Sequence, residues 1–168
     1  DKPGLLGLGD EIKGVTFVPL EVTTDDASLI DGVYDYAVTD RYIYVLPVKE
    51  PRIVLFDRQG RFIRTLVKEG QGPGEFRGIL PCIQVDERND RLFLFSNNRV
   101  WEYTLEGEFI GQSTHEYSVI YMRHIGKDRF AAISFPFQPF NGGGFGLGLF
   151  SRKGDTIAIK NDFYSFLL

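Results

Sequence analysis

VLFDRQGRFI (residues 54–63), WEYTLEGEFI (101–110) and GLFSRKGDTI (148–157) read as three versions of one hairpin. In each, a run of strand-forming residues meets a short polar turn, passes through glycine and returns as a second strand. The glycines are Gly60, Gly107 and Gly154, 47 residues apart both times, and an aromatic residue (Phe56, Tyr103, Phe150) stands four positions before each. A second marker, an Asp-Arg pair, recurs at Asp40-Arg41, Asp90-Arg91 and Asp128-Arg129, with spacings of 50 and 38. The closing hairpin thus keeps register while an intervening loop changes length. Around these markers the strand signals come in fours. DGVYDYAVTD, RYIYVLPV, RIVLFD and RFIRTLV form the first set. PCIQVDE, RLFLFS, RVWEYTL and EFIGQS form the second, and VIYMRHIG, RFAAISF, FGLGLFS and DTIAIKN the third. Four antiparallel strands recurring every roughly 40–50 residues is the period of a β-propeller blade. The repeat predicts an all-β chain of about three such blades, near 31–69, 79–113 and 117–161. A β-sandwich with coincident turns would not hold the 47-residue register.

Composition agrees. The 168 residues are 43% hydrophobic and 25% charged, with 15 Phe and 8 Tyr but one Met and five Ala. That is a folded chain of short strands, not of long helices or disorder. Lys plus Arg number 19 and Asp plus Glu 23, a formal net charge of −4, so no bulk attraction to nucleic acid is expected. The charge is uneven: residues 1–35 carry eight acids against Lys2 and Lys13, a net of −6, which leaves +2 for the rest. We read the acidic stretch as a solvated leader. One cysteine, Cys82, excludes an internal disulfide and a Cys-rich zinc site, and two histidines leave little for a His-based metal centre. No apolar run approaches the roughly 18 residues of a membrane-spanning helix. Residues 1–14, with four glycines and a proline, predict a flexible arm without a signal-peptide pattern, as a mature or trimmed chain would show. GVTFVPLEV predicts one unmatched strand at 15–22, pushed to a sheet edge by Pro19. The tail at 162–168 looks like the first strand of a fourth blade.

VDERNDRLFLFSNNRVWEYTLEGEF (residues 85–109) resembles an NHL-type repeat. The preceding KEGQGPGEF (68–76) resembles the G-x-GPGEF linker of bacterial six-bladed β-propellers of the NHL-like and TolB-like kind. The lead-in FVPLEVTTDDASLIDGVYDYAVTDRYIYVL is similar to the N-terminal region of that group, and the likeness runs from about Val15 to about Gln112. It implies an exported protein, frequently a lipoprotein, without an assigned activity. It also implies a ring about twice as long, so this chain reads as half of a six-bladed propeller. Two copies completing a ring, a truncated half, or an open stack shielded by its arms all satisfy that length. Cys82 lies mid-chain in a strand and cannot be a lipid-anchoring cysteine. In the linker, Gly70, Gly72 and Gly74 open backbone angles closed to other residues, Pro73 stiffens the crossing, and Phe76 is expected in the seam between blades. No helix and no Lys-Ser/Thr follow, so the glycines do not make a phosphate loop.

No catalytic set stands out. Ser113-Thr114-His115-Glu116 places a hydroxyl, an imidazole and a carboxylate in sequence, but strand neighbours point to opposite faces, and we read the stretch as an inter-blade loop. His124 in YMRHIG fits an inner strand as a packed or channel-lining residue. Asp57, Asp86, Asp90 and Asp128 fit turn positions, and Asp25-Asp26 lacks the oxygen count and spacing of a calcium loop. Trp101 fits between blades. Propeller ligands usually meet the face built from second-to-third-strand loops and linkers, here Pro47–Arg52, Glu69–Gly78, Asn97–Arg99 and Ser134–Gly144. Candidate ligand-binding residues are therefore Arg77, Asn97, Asn98 and Arg99, with Phe135, Phe137, Gln138 and Phe140 from a long loop whose phenylalanines equally suit covering the end of the stack. The expected function is a non-catalytic binding or scaffold module for a glycan, peptide or protein, with no cofactor and no metal. The alternative is a carbohydrate-active or metal-assisted hydrolase or lyase of propeller fold, which rests on fold analogy. Self-assembly into a dimeric ring is compatible with either.

Overall fold

The computed structural model describes residues 14–77, 82–116, 119–134 and 146–160. Among the described residues, twelve strands form three four-stranded antiparallel sheets, each ordered as the chain runs. The first holds β1 (Val33–Val38), β2 (Tyr42–Pro47), β3 (Arg52–Asp57) and β4 (Phe62–Lys68). The second holds β5 (Cys82–Asp86), β6 (Arg91–Ser96), β7 (Arg99–Tyr103) and β8 (Phe109–Thr114). The third holds β9 (Tyr121–His124), β10 (Arg129–Ile133), β11 (Leu147–Ser151) and β12 (Thr156–Lys160). A 3-10 turn, Glu87–Asn89, joins β5 to β6.

The three hairpins are one piece of chemistry. In each, the glycine N–H donates to the carbonyl three residues back: Gly60 to Asp57, Gly107 to Thr104 and Gly154 to Ser151, all at 3.0 Å. That same residue's side chain accepts from the N–H four positions on: Arg61 to Asp57 at 2.9 Å, Glu108 to Thr104 at 3.1 Å and Asp155 to Ser151 at 3.0 Å. Aspartate, threonine and serine share a short side chain with an acceptor oxygen, which is what the position demands. The glycines have φ of 83°, 89° and 102°, and the ladder bulges beside each turn.

Each hairpin glycine also lies against what precedes it. A Cβ would fall 3.0 Å from the Leu66 carbonyl oxygen at Gly107 and 2.4 Å from that of Thr114 at Gly154, which puts those glycines on the outermost strand of the sheet before. At Gly60 it would fall 2.0 Å from the Pro19 oxygen. The separations are 41 (Pro19 to Gly60), 41 (Leu66 to Gly107) and 40 (Thr114 to Gly154). Residues near Pro19 therefore stand where an outermost strand would. They do not form the strand predicted at 15–22. Pro19 has no N–H to give a ladder, and only Glu21 N–H bonds the hairpin backbone, to Gly60 at 2.8 Å, with the Glu21 carboxylate accepting from Phe62 N–H. The arm at 1–13 and the tail at 162–168 lie outside the described residues.

The core sits between sheets. Tyr44, Leu46, Ile53 and Leu55 of the first sheet meet Leu92, Leu94, Trp101 and Tyr103 of the second in one cluster, together with Phe76 of the linker. Phe93, Phe95 and Val100 of the second meet Met122, Phe130, Ala132 and Phe150 of the third in another. Leu92 and Leu94 thus face one way along β6 and Phe93 and Phe95 the other. This is why RLFLF reads as an unbroken apolar run: both faces of the strand are covered. The first strands of the sheets lie side by side, β1 beside β5 and β5 beside β9. Side chains tie them: Asp35 accepts from Ile83 N–H at 2.8 Å, and Gln84 donates to the His124 carbonyl at 2.9 Å while accepting from its N–H.

Candidate functional site

The linker after β4 folds on itself. Gly70 N–H donates to Phe76 carbonyl at 3.1 Å and Gly72 N–H to the Glu75 carboxylate at 2.7 Å. A Cβ on Gly70 would meet that carboxylate at 1.9 Å, so the Glu75 side chain packs directly against the glycine. Phe76 is fully buried, its ring edge-on to Trp101 at 6.5 Å, in the seam where the sequence placed both. Next to this plug, Arg77 reaches back: Nε donates to Gly70 carbonyl at 3.2 Å and Nη2 to Gln71 carbonyl at 3.4 Å.

The β6–β7 turn supplies the rest. Asn97 has φ of 53°, the left-handed region that asparagine tolerates better than most residues. The turn is pinned by Val119 N–H to Asn97 carbonyl at 3.0 Å and His115 N–H to Asn98 carbonyl at 2.7 Å, while Asn98 Nδ2 donates to His115 carbonyl at 3.2 Å. Arg77, Ser96, Asn97, Asn98 and Arg99 line a shallow depression of about 250 Å³. It continues through Arg77 and Arg99 into a second hollow of about 280 Å³, walled by the linker, Phe109 and Gln112. Among the described residues neither arginine has a carboxylate partner. The structure thus brings together Arg77, Asn97, Asn98 and Arg99. The β2–β3 connection stays out of this depression, with Arg52 bonded to Glu50 and to the Leu29 carbonyl. Phe135, Phe137, Gln138 and Phe140 lie outside the described residues.

Two clusters were not singled out from sequence. The first lines a cleft of about 590 Å³ between the second and third sheets. Glu102, almost buried, accepts from Arg91 Nε at 2.7 Å and from Arg152 Nε at 2.8 Å, with Arg152 Nη2 also on it and Nη1 reaching Asp128 at 3.2 Å. Glu102, Arg152 and Asp128 thus form an ionic bridge across this seam. The repeat held the signal: Glu102 and Arg152 stand at the positions of Leu55 and Leu105, 50 residues apart in both cases, and those leucines are buried in the first seam. The second cluster is His124, whose Nδ1 lies 3.5 Å from Asp86 and whose ring lies 4.9 Å from Phe93, beside a hollow of about 430 Å³ that also takes in Asp40, Gln84 and Glu87. Glu87 is held by Asp40 N–H and Arg41.

Ser113 and Thr114 belong to β8 rather than to a loop, because the ladder with β7 runs to the Arg99–Thr114 pair. His115 is buried at 1% exposure between Phe130 and Phe150, with neither ring nitrogen hydrogen-bonded among the described residues, and burial pushes its pKa down to about 4. Glu116 is exposed beside it, so the three do not assemble. Asp25 accepts from Ala27 N–H, a turn role, and hydrogen bonding to Thr23 holds its carboxyl below the ordinary value. Burial raises the Cys82 thiol, which makes it a poor nucleophile. The described residues contain no group of three or more His, Cys, Asp or Glu placed to hold a metal, and no helix long and apolar enough to cross a membrane.

Three sequential four-stranded antiparallel sheets, each closed by the same glycine hairpin, define the class: an all-β repeat protein. The chain belongs to the family described as domain of unknown function DUF4934, whose pattern matches residues 1–165. No curated protein matches it. Among solved structures it is similar to a Bacteroides fragilis protein described by name as exported, at 18% identity and a TM-score of 0.70, covering 86% of this chain and 42% of that one. It is also similar to a Bacteroides caccae protein of unknown function (10% identity, TM-score 0.51, 72% of this chain and 46% of that). A functionally unknown Desulfotomaculum acetoxidans protein matches at 12% identity and a TM-score of 0.52, over 83% of this chain and 48% of that. At these identities the likeness is one of fold. The chain spans less than half the length of each.

Proposed function

We propose that the three sheets are successive blades of a propeller and that the chain is a non-catalytic binding or scaffold module of an exported protein. The observation that carries the binding reading is the depression itself. Two guanidinium groups without carboxylate partners among the described residues flank a pinned asparagine turn at an exposed end of the sheets. A glycan, a peptide or a protein segment is the ligand such a surface takes. Sequential strand order, side-by-side first strands and the repeated seat of the hairpin glycines support the propeller reading, as does the NHL-like character of residues 85–109. Tyr34, Tyr36 and Val38 on β1, and Leu147 and Ile157 in the third sheet, remain exposed. A second copy or further blades of the same construction would cover such residues in a six-bladed ring. An extracytoplasmic location, with or without a lipid anchor, draws its support from the Bacteroides fragilis neighbour.

Titration calorimetry against glycan and peptide panels tests the function. Saturable binding, lost on changing Arg77 and Arg99 and unaccompanied by turnover, is the expected result. Turnover of a bound substrate, abolished by one carboxylate substitution, would overturn it in favour of the hydrolase or lyase reading. That second reading has one observation behind it, the His124–Asp86 pair beside its own hollow, so Asp86→Asn is the substitution to try. Light scattering over a concentration series tests the ring: twice the 19.1 kDa chain mass marks a dimer, and the single mass marks an open half.

A further inference from the structure

We infer that the groove running through Arg77 and Arg99 takes an acidic oligosaccharide, one carrying uronate carboxylates or sulfate esters. This rests on the binding reading above and adds the class of ligand. The charge argument comes first. At the larger cleft Glu102 holds both Arg91 and Arg152, and Asp128 also meets Arg152, so each of these two guanidinium groups has a carboxylate. Across this groove the nearest linker carboxylate, Glu75, is taken up by Gly72 N–H at 2.7 Å. Arg77 is held in place by two carbonyls of its own linker, which fixes the plane of its guanidinium and leaves Nη1 without a partner among the described residues. A fixed planar cation is suited to a carboxylate or a sulfate, whose two oxygens it can meet together.

The lining argues for a sugar rather than a peptide. Phe109, half exposed, offers an apolar face at one end; Gln112 and Asn97 offer amides that both donate and accept, as pyranose hydroxyls require. An extended peptide takes much of its affinity from an open strand edge. The strand flooring the groove, β7, is already paired on both sides, with β6 and β8.

The test is calorimetry on the whole chain with four probes: a hexagalacturonate, a heparin-derived hexasaccharide, maltohexaose and hexaglutamate. Arg99→Gln removes an exposed side chain, and Asn97→Gly keeps the left-handed turn, so both variants fold. Arg58→Gln, on an exposed hairpin turn that lines neither hollow, is the control. The expected result is binding of at least one acidic saccharide, weakened about tenfold by Arg99→Gln, weakened by added salt, and unchanged by Arg58→Gln. Maltohexaose binding equally well and indifferent to Arg99→Gln would remove the acidic class while leaving the binding module in place. Hexaglutamate binding as tightly as the acidic sugars would overturn the glycan assignment. Failure of both acidic saccharides at millimolar concentration would overturn the inference outright.

Discussion

His115 ties stability to pH. In the fold it is a neutral imidazole with no hydrogen-bond partner for either nitrogen among the described residues, wedged between Phe130 and Phe150. Burial disfavours the imidazolium and lowers the pKa from 6.5 to about 4. The unfolded chain therefore binds a proton that the fold refuses between those two values. Stability is complete above pH 6.5, falls as pH drops through that window, and levels off below pH 4. The full span corresponds to about 3 kcal/mol, and by pH 5 about 2 kcal/mol of it is already lost relative to pH 7.5. His115→Leu removes the titrating group and keeps an apolar side chain. Urea unfolding of both proteins at pH 7.5, 6 and 5 checks the claim, followed by circular dichroism and by fluorescence of Trp101, the single tryptophan, buried at 2% exposure. Carboxylates that weaken the fold in acid are common to both proteins and cancel in the comparison. The wild type should lose about 2 kcal/mol more than the variant between pH 7.5 and 5. Parallel pH profiles would show that His115 is solvated or paired in solution and would refute the reasoning.

Three further outcomes follow from the seams. Gly154→Ala adds a Cβ 2.4 Å from the Thr114 carbonyl oxygen at φ 102°, so it should cost at least about 2 kcal/mol by urea denaturation, and more than Gly107→Ala, where the approach is 3.0 Å. The buried hydroxyls of Tyr44 and Tyr103 have no partner among the described residues, and burial pushes both pKa values up; Tyr44→Phe and Tyr103→Phe should leave stability unchanged or raise it by about 1 kcal/mol, and a loss beyond about 1 kcal/mol contradicts the unpartnered state. Glu102→Leu alone takes the carboxylate from Arg91 and leaves Arg152 with Asp128 only, and should cost about 2 kcal/mol, whereas adding Arg152→Leu, which copies the Leu55 and Leu105 arrangement, should recover part of it; a strictly additive double-mutant cycle would refute the coupling.

What could be read from the sequence was what local chemistry specifies. The hairpins announce themselves because a short acceptor side chain, a left-handed glycine and a bulge are needed within five residues, whatever surrounds them. The Asp-Arg markers vary in spacing because connection length between sheets is weakly constrained. The stretch at 15–22 misled because its β-propensity is real but its geometry is set by Gly60, about forty residues on. Of the candidate site, Arg77 and Asn97–Arg99 were legible because linkers and second-to-third-strand turns share one end of such sheets. The Glu102–Arg152 bridge was not singled out: its positions repeat those of Leu55 and Leu105, but the change from an apolar to an ionic pair is visible only once the two repeats are aligned residue by residue.

That bridge also says how the repeat differs from one copy to the next. A repeat protein must bury each sheet against its neighbours, and the second and third hairpins do so with the same backbone approach. The side chains at the equivalent positions differ. In the first seam they are Leu105 and Leu55, buried together; in the second they are Arg152 and Glu102, paired at the edge of a cleft. An apolar seam is indifferent to salt, while a partly exposed ionic one weakens in it. The third sheet is therefore the one that should loosen first as ionic strength rises, and hydrogen exchange at the β11 amides compared with those of β7 reads this directly. Equal protection of the two strands in high salt would mean that Phe130 and Phe150, not Arg152, govern the second seam.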